Sequence, residues 1–410
     1  MQHDPFASLR IKEFQYFISG RFFFVSGLRM MSTIVAWWIY EVTGDPLAIG
    51  LIGLAEVIPA VGLALYAGHV IDHTERTFIM NRSVLLYGLV IFLIFLISTS
   101  WIQDHIQSDV WVLFIYVLIS VTGAIRAFSG ATFPALLAQI VPMEKMTNAI
   151  TLNNGTFLTA AIIGHAGGGL LIALMGIQGA LFVSFLFVVM ACISLFRIKP
   201  KPLPEFPMDM STWESVKEGL KFVYKTKELL ASMNLDLFAV LFGGAVAMVP
   251  AFAKDILHVG PTGFGWLNAA SDIGSMLTVI LLTLRPLKQK QGTILLYAVA
   301  GFGLSIIVFG ISKWYLLSFF ALMLSGFLDG FSAIIRGTIA QLKTPNAIKG
   351  RVMSVNSMFI NSSNEFGQFE SGLTARLMGL VPSVVFGGTM TLIVVLLTWW
   401  KAPKLRKLEY

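Results

Sequence analysis

Apolar residues in this chain come in uninterrupted blocks of about twenty, the length an α-helix needs to cross a hydrocarbon core roughly 30 Å thick. Soluble helices instead carry their apolar residues as a stripe recurring every three or four positions. Lipid offers the backbone no hydrogen-bond partners, so blocks of this kind fold as helices that satisfy their own amides. Composition agrees, because 56% of the 410 residues are hydrophobic and only 12% are charged, where a soluble domain carries about 25% charged residues. A water-exposed surface cannot be built from that supply.

The blocks and their polar breaks predict twelve spans, at 14–41, 47–69, 78–99, 110–133, 148–174, 178–196, 233–254, 262–284, 292–311, 314–337, 352–379 and 382–400. The break from Arg197 to about Ala231 opens with the proline-rich KPKPLPEFP and continues as STWESVKEGLKFVYKTKELL. In it Trp213, Val216, Leu220, Val223 and Tyr224 recur at helical spacing, which predicts a linker followed by an amphipathic helix on the membrane surface. The expected fold class is an all-α polytopic membrane protein, with a six-helix bundle in 1–196, a cytoplasmic linker in 197–231 and a second six-helix bundle in 232–410. The opening MQHDPFASLRIKEF leads into the first span without a small-residue cleavage site, so no removable signal peptide is expected. Cys192 is the single cysteine. It is expected to pack, with neither a disulfide nor a metal framework implied.

A net charge of +7 would ordinarily raise nucleic acid as a partner. Placing the charges on the spans removes that reading. Of 29 Lys and Arg, the termini, the long central loop and the loops on the same side take all but a few, among them Arg82, Lys145, Arg285, Lys288, Lys349, Arg351 and Lys404. Lys254 and Lys313 fall on the opposite side, and Arg29, Arg126, Arg336 and Arg376 lie within or at the ends of spans. By the positive-inside rule both termini are cytoplasmic, and the basic excess is topology. The expected setting is the inner (cytoplasmic) membrane of a bacterium.

The halves also match each other. A shift of 202 places Gln139 on Gln341, Asn154 on Asn356 and Phe157 on Phe359, and one further inserted residue places Gly169 on Gly372, Leu170 on Leu373 and Gly176 on Gly379. Span five therefore aligns with span eleven, and the duplicated unit is six helices, as in transporters built from internal repeats.

Several stretches resemble motifs of the major facilitator superfamily. GHVIDHTER after span two carries Gly68, Asp72 and Arg76 at four-residue spacing, like the superfamily's loop motif between helices two and three. Arg126 with Gly130 and Pro134 resembles its helix-four arginine motif. AIIGHAGGGLLIA looks like its antiporter glycine motif, with His165 where proline is usual. Finally DGFSAIIRGTIAQLKTPNAIKGRVMSVN and SNEFGQFESG, together with LDLFAVLFGGAVAMVPAFAKDIL and DPLAIGLIGLAEVIPA, resemble the enterobactin-exporter-like branch. The resemblance covers nearly the whole chain. It implies two pseudo-symmetric six-helix bundles, alternating access and proton-driven efflux of drugs or siderophores. It assigns Gly68, Asp72 and Arg76 to a cytoplasmic gate and Arg126 to proton coupling.

Charges inside spans are costly and usually face an aqueous path or a partner. Glu56 and Arg29 reach comparable depths and are candidate partners. Asp272 and Glu365 reach the middle third of their spans, Asp329 the inner half and Glu370 the outer part. Six acids, these five and Asp236, face four intraspan arginines, so at least two lack one. Such carboxyls suit proton binding and release, and Glu56, Arg126, Asp272, Asp329, Glu365 and Glu370 are the proton-coupling candidates. Arg29, Trp37, Arg126, Asp236, Met358 and Asn361 are the substrate-cavity candidates.

No phosphate-binding glycine-lysine loop, His-Glu-x-x-His zinc motif or Gly-x-Ser-x-Gly nucleophile turn occurs. The expectation is a non-enzymatic, monomeric secondary transporter without cofactor, energised by a proton gradient and meeting a small molecule, protons and membrane lipid. Export of an amphipathic drug or siderophore is the leading expectation, and import or lipid movement on the same fold the alternative.

Overall fold

The computed structural model describes residues 6–202, 212–287, 289–345 and 348–409. A 3-10 turn, Ala7–Arg10, leads into α1 (Lys12–Thr43), followed by α2 (Pro46–Gly62), α3 (Ala64–His73), α4 (Arg76–Ile97), the short α5 (Ser100–His105), α6 (Ser108–Ile140) and α7 (Met146–Leu195). Beyond the linker come α8 (Thr212–Lys225), α9 (Lys227–Gly243), α10 (Val249–Ala251), α11 (Pro261–Leu284), α12 (Gln291–Ile311), α13 (Tyr315–Lys343), α14 (Lys349–Met378), α15 (Leu380–Lys401) and α16 (Pro403–Arg406).

Among the described residues, nine helical segments are long and apolar enough to cross a membrane. Several of the expected spans differ in form for local reasons. Span two is divided at Leu63 into α2 and α3, where Pro59 inside the helix and Gly62 at its end weaken the ladder. Spans five and six are continuous in α7, turning at Gly176 with φ 68° and ψ −178°. Span seven is discontinuous, running from α9 through a 3-10 turn, Gly244–Met248, and α10 into a π-helical turn, Phe252–Ile256. Span eleven is α14, whose Asn, Ser, Gln and Glu residues keep it below the apolarity of the nine.

The sequence repeat reappears as backbone geometry. Gly176 and Gly379, matched by the shifted alignment, both have positive φ, 68° and 92°, and each makes the turn between the last two spans of its half. Pro46 and Pro261 likewise open α2 and α11, each soon after a residue of positive φ, Gly44 at 61° and His258 at 51°.

The chain packs as two compact units. One takes in the described residues of Met1–Trp38 and Ile58–Met208, the other those of Ile39–Val57 and Asp209–Tyr410. In the second, Val223 of α8, Leu229 and Met233 of α9, Leu295 of α12, Ile335 of α13 and Leu405 of α16 belong to one core. The amphipathic linker helix forms, but its apolar face is divided: Val223 is buried in that core while Leu220 and Tyr224 stay exposed. The backbone passes close at Gly219, where a Cβ would lie 2.9 Å from the Arg351 carbonyl oxygen of α14, and Glu218 forms an ion pair with Arg351. Helix α8 is therefore docked on α14 rather than held by lipid alone.

Candidate functional site

In the second unit the buried charges converge on Arg336. Helical spacing puts Asp329, Ser332 and Arg336 along one side of α13, because residues four and seven apart return to the same face. Arg336 and Asp236 of α9 are 9% and 5% exposed and form an ion pair through Nη1 and Oδ2. The other terminal nitrogen lies 3.7 Å from Asp329 Oδ1. Its Nε donates to Ser332 Oγ at 3.1 Å and to the Ser332 carbonyl at 3.2 Å. Two carboxylates thus share one guanidinium. The site is anchored by a closely bound acid and flanked by a looser one, whose side chain is 47% exposed.

Further acids of this unit lie on α14 and α2. Glu365 is buried and accepts a hydrogen bond from Gln368 Nε2 at 3.2 Å. Gly53 of α2 approaches so closely that a Cβ there would sit 2.6 Å from the Glu365 carbonyl oxygen. Glu56, Asp272 and Glu370 are partly exposed, as is Met358, and Asn361 is exposed. Nearer the helix ends, Tyr40 donates to Asp255, and Arg376 lies 3.3 Å from Asp45.

The first unit has the opposite polarity. Within 14–38, 58–71, 77–103, 110–143 and 145–202 the sequence contains no Asp or Glu, yet α1 carries Arg21 and Arg29. The Arg21 guanidinium stands 5.3 Å from the centre of the Phe133 ring of α6 and 5.6 Å from that of Phe157 of α7. Arg29 lies over the same Phe157 ring at 5.8 Å. Phe24 stacks on the far neighbour, with its ring 5.5 Å from Phe133. Neither arginine forms an ion pair among the described residues, and Arg21 Nε is a buried donor without a hydrogen bond. For Arg29, in the middle of α1, the cost of a membrane-embedded arginine is about 3 kcal/mol, whereas a cation–π contact returns about 0.5–2 kcal/mol. The rings alone leave the charge under-compensated.

Around this pair, Gly164 of α7 lets α1 come close, since a Cβ at that position would meet Arg29 Cβ at 2.5 Å and the Ser26 carbonyl oxygen at 2.8 Å. His165 Nδ1 is 2.7 Å from Thr33 Oγ1. Trp37 is buried, 5% exposed, and its neighbour Trp38 stacks on Trp111 at 4.7 Å. Arg126 and Gly68 are partly exposed. Arg76, at the start of α4, donates from Nη1 to the Ala135 carbonyl of α6 at 3.3 Å. The side chain of Asp72 lies outside the described residues. Arg21 is the functional candidate that span-by-span charge counting passes over, because it stands near the start of span one, where basic residues usually mark topology. The sequence signal is a second arginine eight residues on in the same span.

The sequence matches the transmembrane secretion effector family over residues 3–409. It is 24% identical over 362 residues to the multidrug efflux pump Tap of Mycolicibacterium fortuitum, covering 85% of this chain and 86% of that protein. It is 26% identical over 232 residues to the enterobactin exporter EntS of Shigella flexneri, covering 55% and 54% of the two chains. Among solved structures, the nucleoside transporter NupG superposes with a TM-score of 0.76 at 11% identity, over 94% of this chain and 99% of that one. A bacterial homologue of the human lysosomal transporter Spinster gives a TM-score of 0.67 at 13% identity, over 99% and 97%.

Proposed function

The chain belongs to the transmembrane secretion effector family of major facilitator transporters, and from that premise we propose that it is a proton-coupled exporter of a small amphipathic molecule, seated in the bacterial inner membrane with both termini cytoplasmic. The observation that carries the proton coupling is the pair of carboxylates on Arg336. One guanidinium neutralises one carboxylate, so the second either holds a proton or stands as a costly membrane charge. Asp236 keeps Arg336, and Asp329, more open and more loosely paired, exchanges the proton. Glu56, Arg126, Asp272, Glu365 and Glu370 form the remaining candidates of this pathway, and Gly68, Asp72 and Arg76 the cytoplasmic gate. The efflux names of Tap and EntS support the outward direction.

The test uses purified protein in liposomes with an imposed pH gradient, following rhodamine 6G and 2-naphthoate as probe cation and anion. Outward movement of either probe should be driven by the gradient, and Asp329→Asn should lose that coupling by tenfold or more while still allowing downhill movement. Gradient-independent movement by the unaltered protein refutes the antiport reading. Gradient-driven uptake instead of expulsion favours import on the same fold.

A further inference from the structure

We infer that Arg21 and Arg29 form an anion-recognition site in the first unit, and that the transported molecule is an amphipathic anion bearing a carboxylate, sulfonate or phosphate group on an apolar body. This rests on the export reading above and adds the charge of the cargo. The intraspan charges alone leave that sign open, since arginines favour an anion and a surplus of acids favours a cation. Their placement favours the anion. In the second unit Asp236 and Asp329 draw on Arg336, and Glu365 accepts from Gln368. In the first unit the spans hold no acid to engage.

Arg21 and Arg29 are held instead by the ring faces of Phe133 and Phe157. Two like charges share the Phe157 ring, and one of them keeps a buried Nε donor without a hydrogen bond. A ring face stabilises a guanidinium but accepts none of its in-plane N–H bonds, which are the bonds an oxyanion takes in pairs. The apolar body of the ligand then meets the surrounding phenylalanines, a lining of a few polar groups among aromatic ones that suits small-molecule binding. An anionic lipid headgroup offers the same chemistry, and the experiment separates it from a solute.

Purified full-length protein in dodecyl maltoside is equilibrated by dialysis against labelled 2-naphthoate or 2-naphthylmethylamine, the same ring system with opposite charge, with empty micelles as the blank. Saturable binding of 2-naphthoate, at least tenfold tighter than that of the amine, is the expected result. Arg21→Gln and Arg29→Gln should each weaken it about tenfold, as loss of a charge-assisted hydrogen bond does. Arg21→Lys should keep part of it, while His105→Gln, a change on the exposed α5, should leave it unchanged. Equal or tighter binding of the amine overturns the inference, as does unaltered naphthoate binding in the two Gln variants. Displacement of naphthoate by a few equivalents of phosphatidylglycerol, with no naphthoate movement in liposomes, assigns the site to lipid and also overturns it. Gradient-driven movement of rhodamine 6G without naphthoate binding would sink this inference and leave the export reading standing. Naphthoate binding without gradient-driven movement would do the reverse.

Discussion

At the scale of single residues, Arg336 is the clearest point of tension. It holds Asp236, which is 5% exposed, and reaches a second carboxylate. Removing one partner of a buried ion pair leaves an uncompensated charge and costs about 3–5 kcal/mol. Arg336→Gln should therefore lower the thermal unfolding midpoint of the detergent-solubilised protein well below that of Asp329→Asn. The double variant Arg336→Gln with Asp236→Asn should recover a large part of the loss, and a strictly additive pair would rule out the coupling. Which acids would meet which arginine was not legible from depth along a span. Asp236 and Arg336 lie a hundred residues apart, and nothing in the sequence around either names the other. Rotation about the helix axis decides partners, and that comes from tertiary packing. Arg21 was hidden for a different reason: near a helix entry, a base that marks topology and a base that recognises a ligand look alike in sequence.

At the scale of elements, helix length and order were legible because lipid forces every span to close its own hydrogen bonds. Breaks inside a span were less so. Pro59 announces the division of α2 from α3, but Pro250 in α10 does not by itself specify the 3-10 turn before it and the π turn after it. The glycine turns fall between these cases. Gly176 and Gly379 occupy a region of positive φ with extended ψ, 68° with −178° and 92° with 161°, where glycine is nearly the sole occupant. Alanine there should cost about 1–3 kcal/mol, and asparagine should rescue neither site, because asparagine favours the left-handed helical region instead. Lys290, at φ 56° and ψ 32°, supplies the contrast: Lys290→Asn should be tolerated. Differential scanning fluorimetry of the five variants, Gly176→Ala, Gly176→Asn, Gly379→Ala, Gly379→Asn and Lys290→Asn, checks the ordering. A midpoint for Gly176→Asn equal to that of the unaltered protein would contradict the assignment.

At the scale of the whole molecule, the repeat predicts two equal halves, but the packing units do not follow the repeat boundary. Residues Ile39–Val57 belong to the second unit, tied by Tyr40 to Asp255 and by Asp45 to Arg376. Gly50 and Gly372 let the two backbones meet there, since a Cβ on Gly50 would fall 3.1 Å from the Gly372 Cα. Hydrophobic periodicity carries no trace of this exchange, because a span reads the same whichever neighbours it joins. A chain cut between 202 and 212 tests it. The 212–410 fragment expressed alone should elute as aggregate from size exclusion in detergent, and co-expression with 1–202 should restore a single peak. Restoration should weaken when the partner fragment carries Gly50→Leu. A well-behaved 212–410 fragment would show that the exchanged segment is dispensable.

The exchange also sets a timetable for synthesis. Tyr40 precedes Asp255 by 215 positions, so at roughly 5–20 residues per second the ribosome delivers the second partner about 10–45 s after the first. For that interval the C-terminal end of α1 and the start of α2 wait with their polar groups unmatched, and whatever shelters them, lipid or an insertion chaperone, becomes part of how this protein is made.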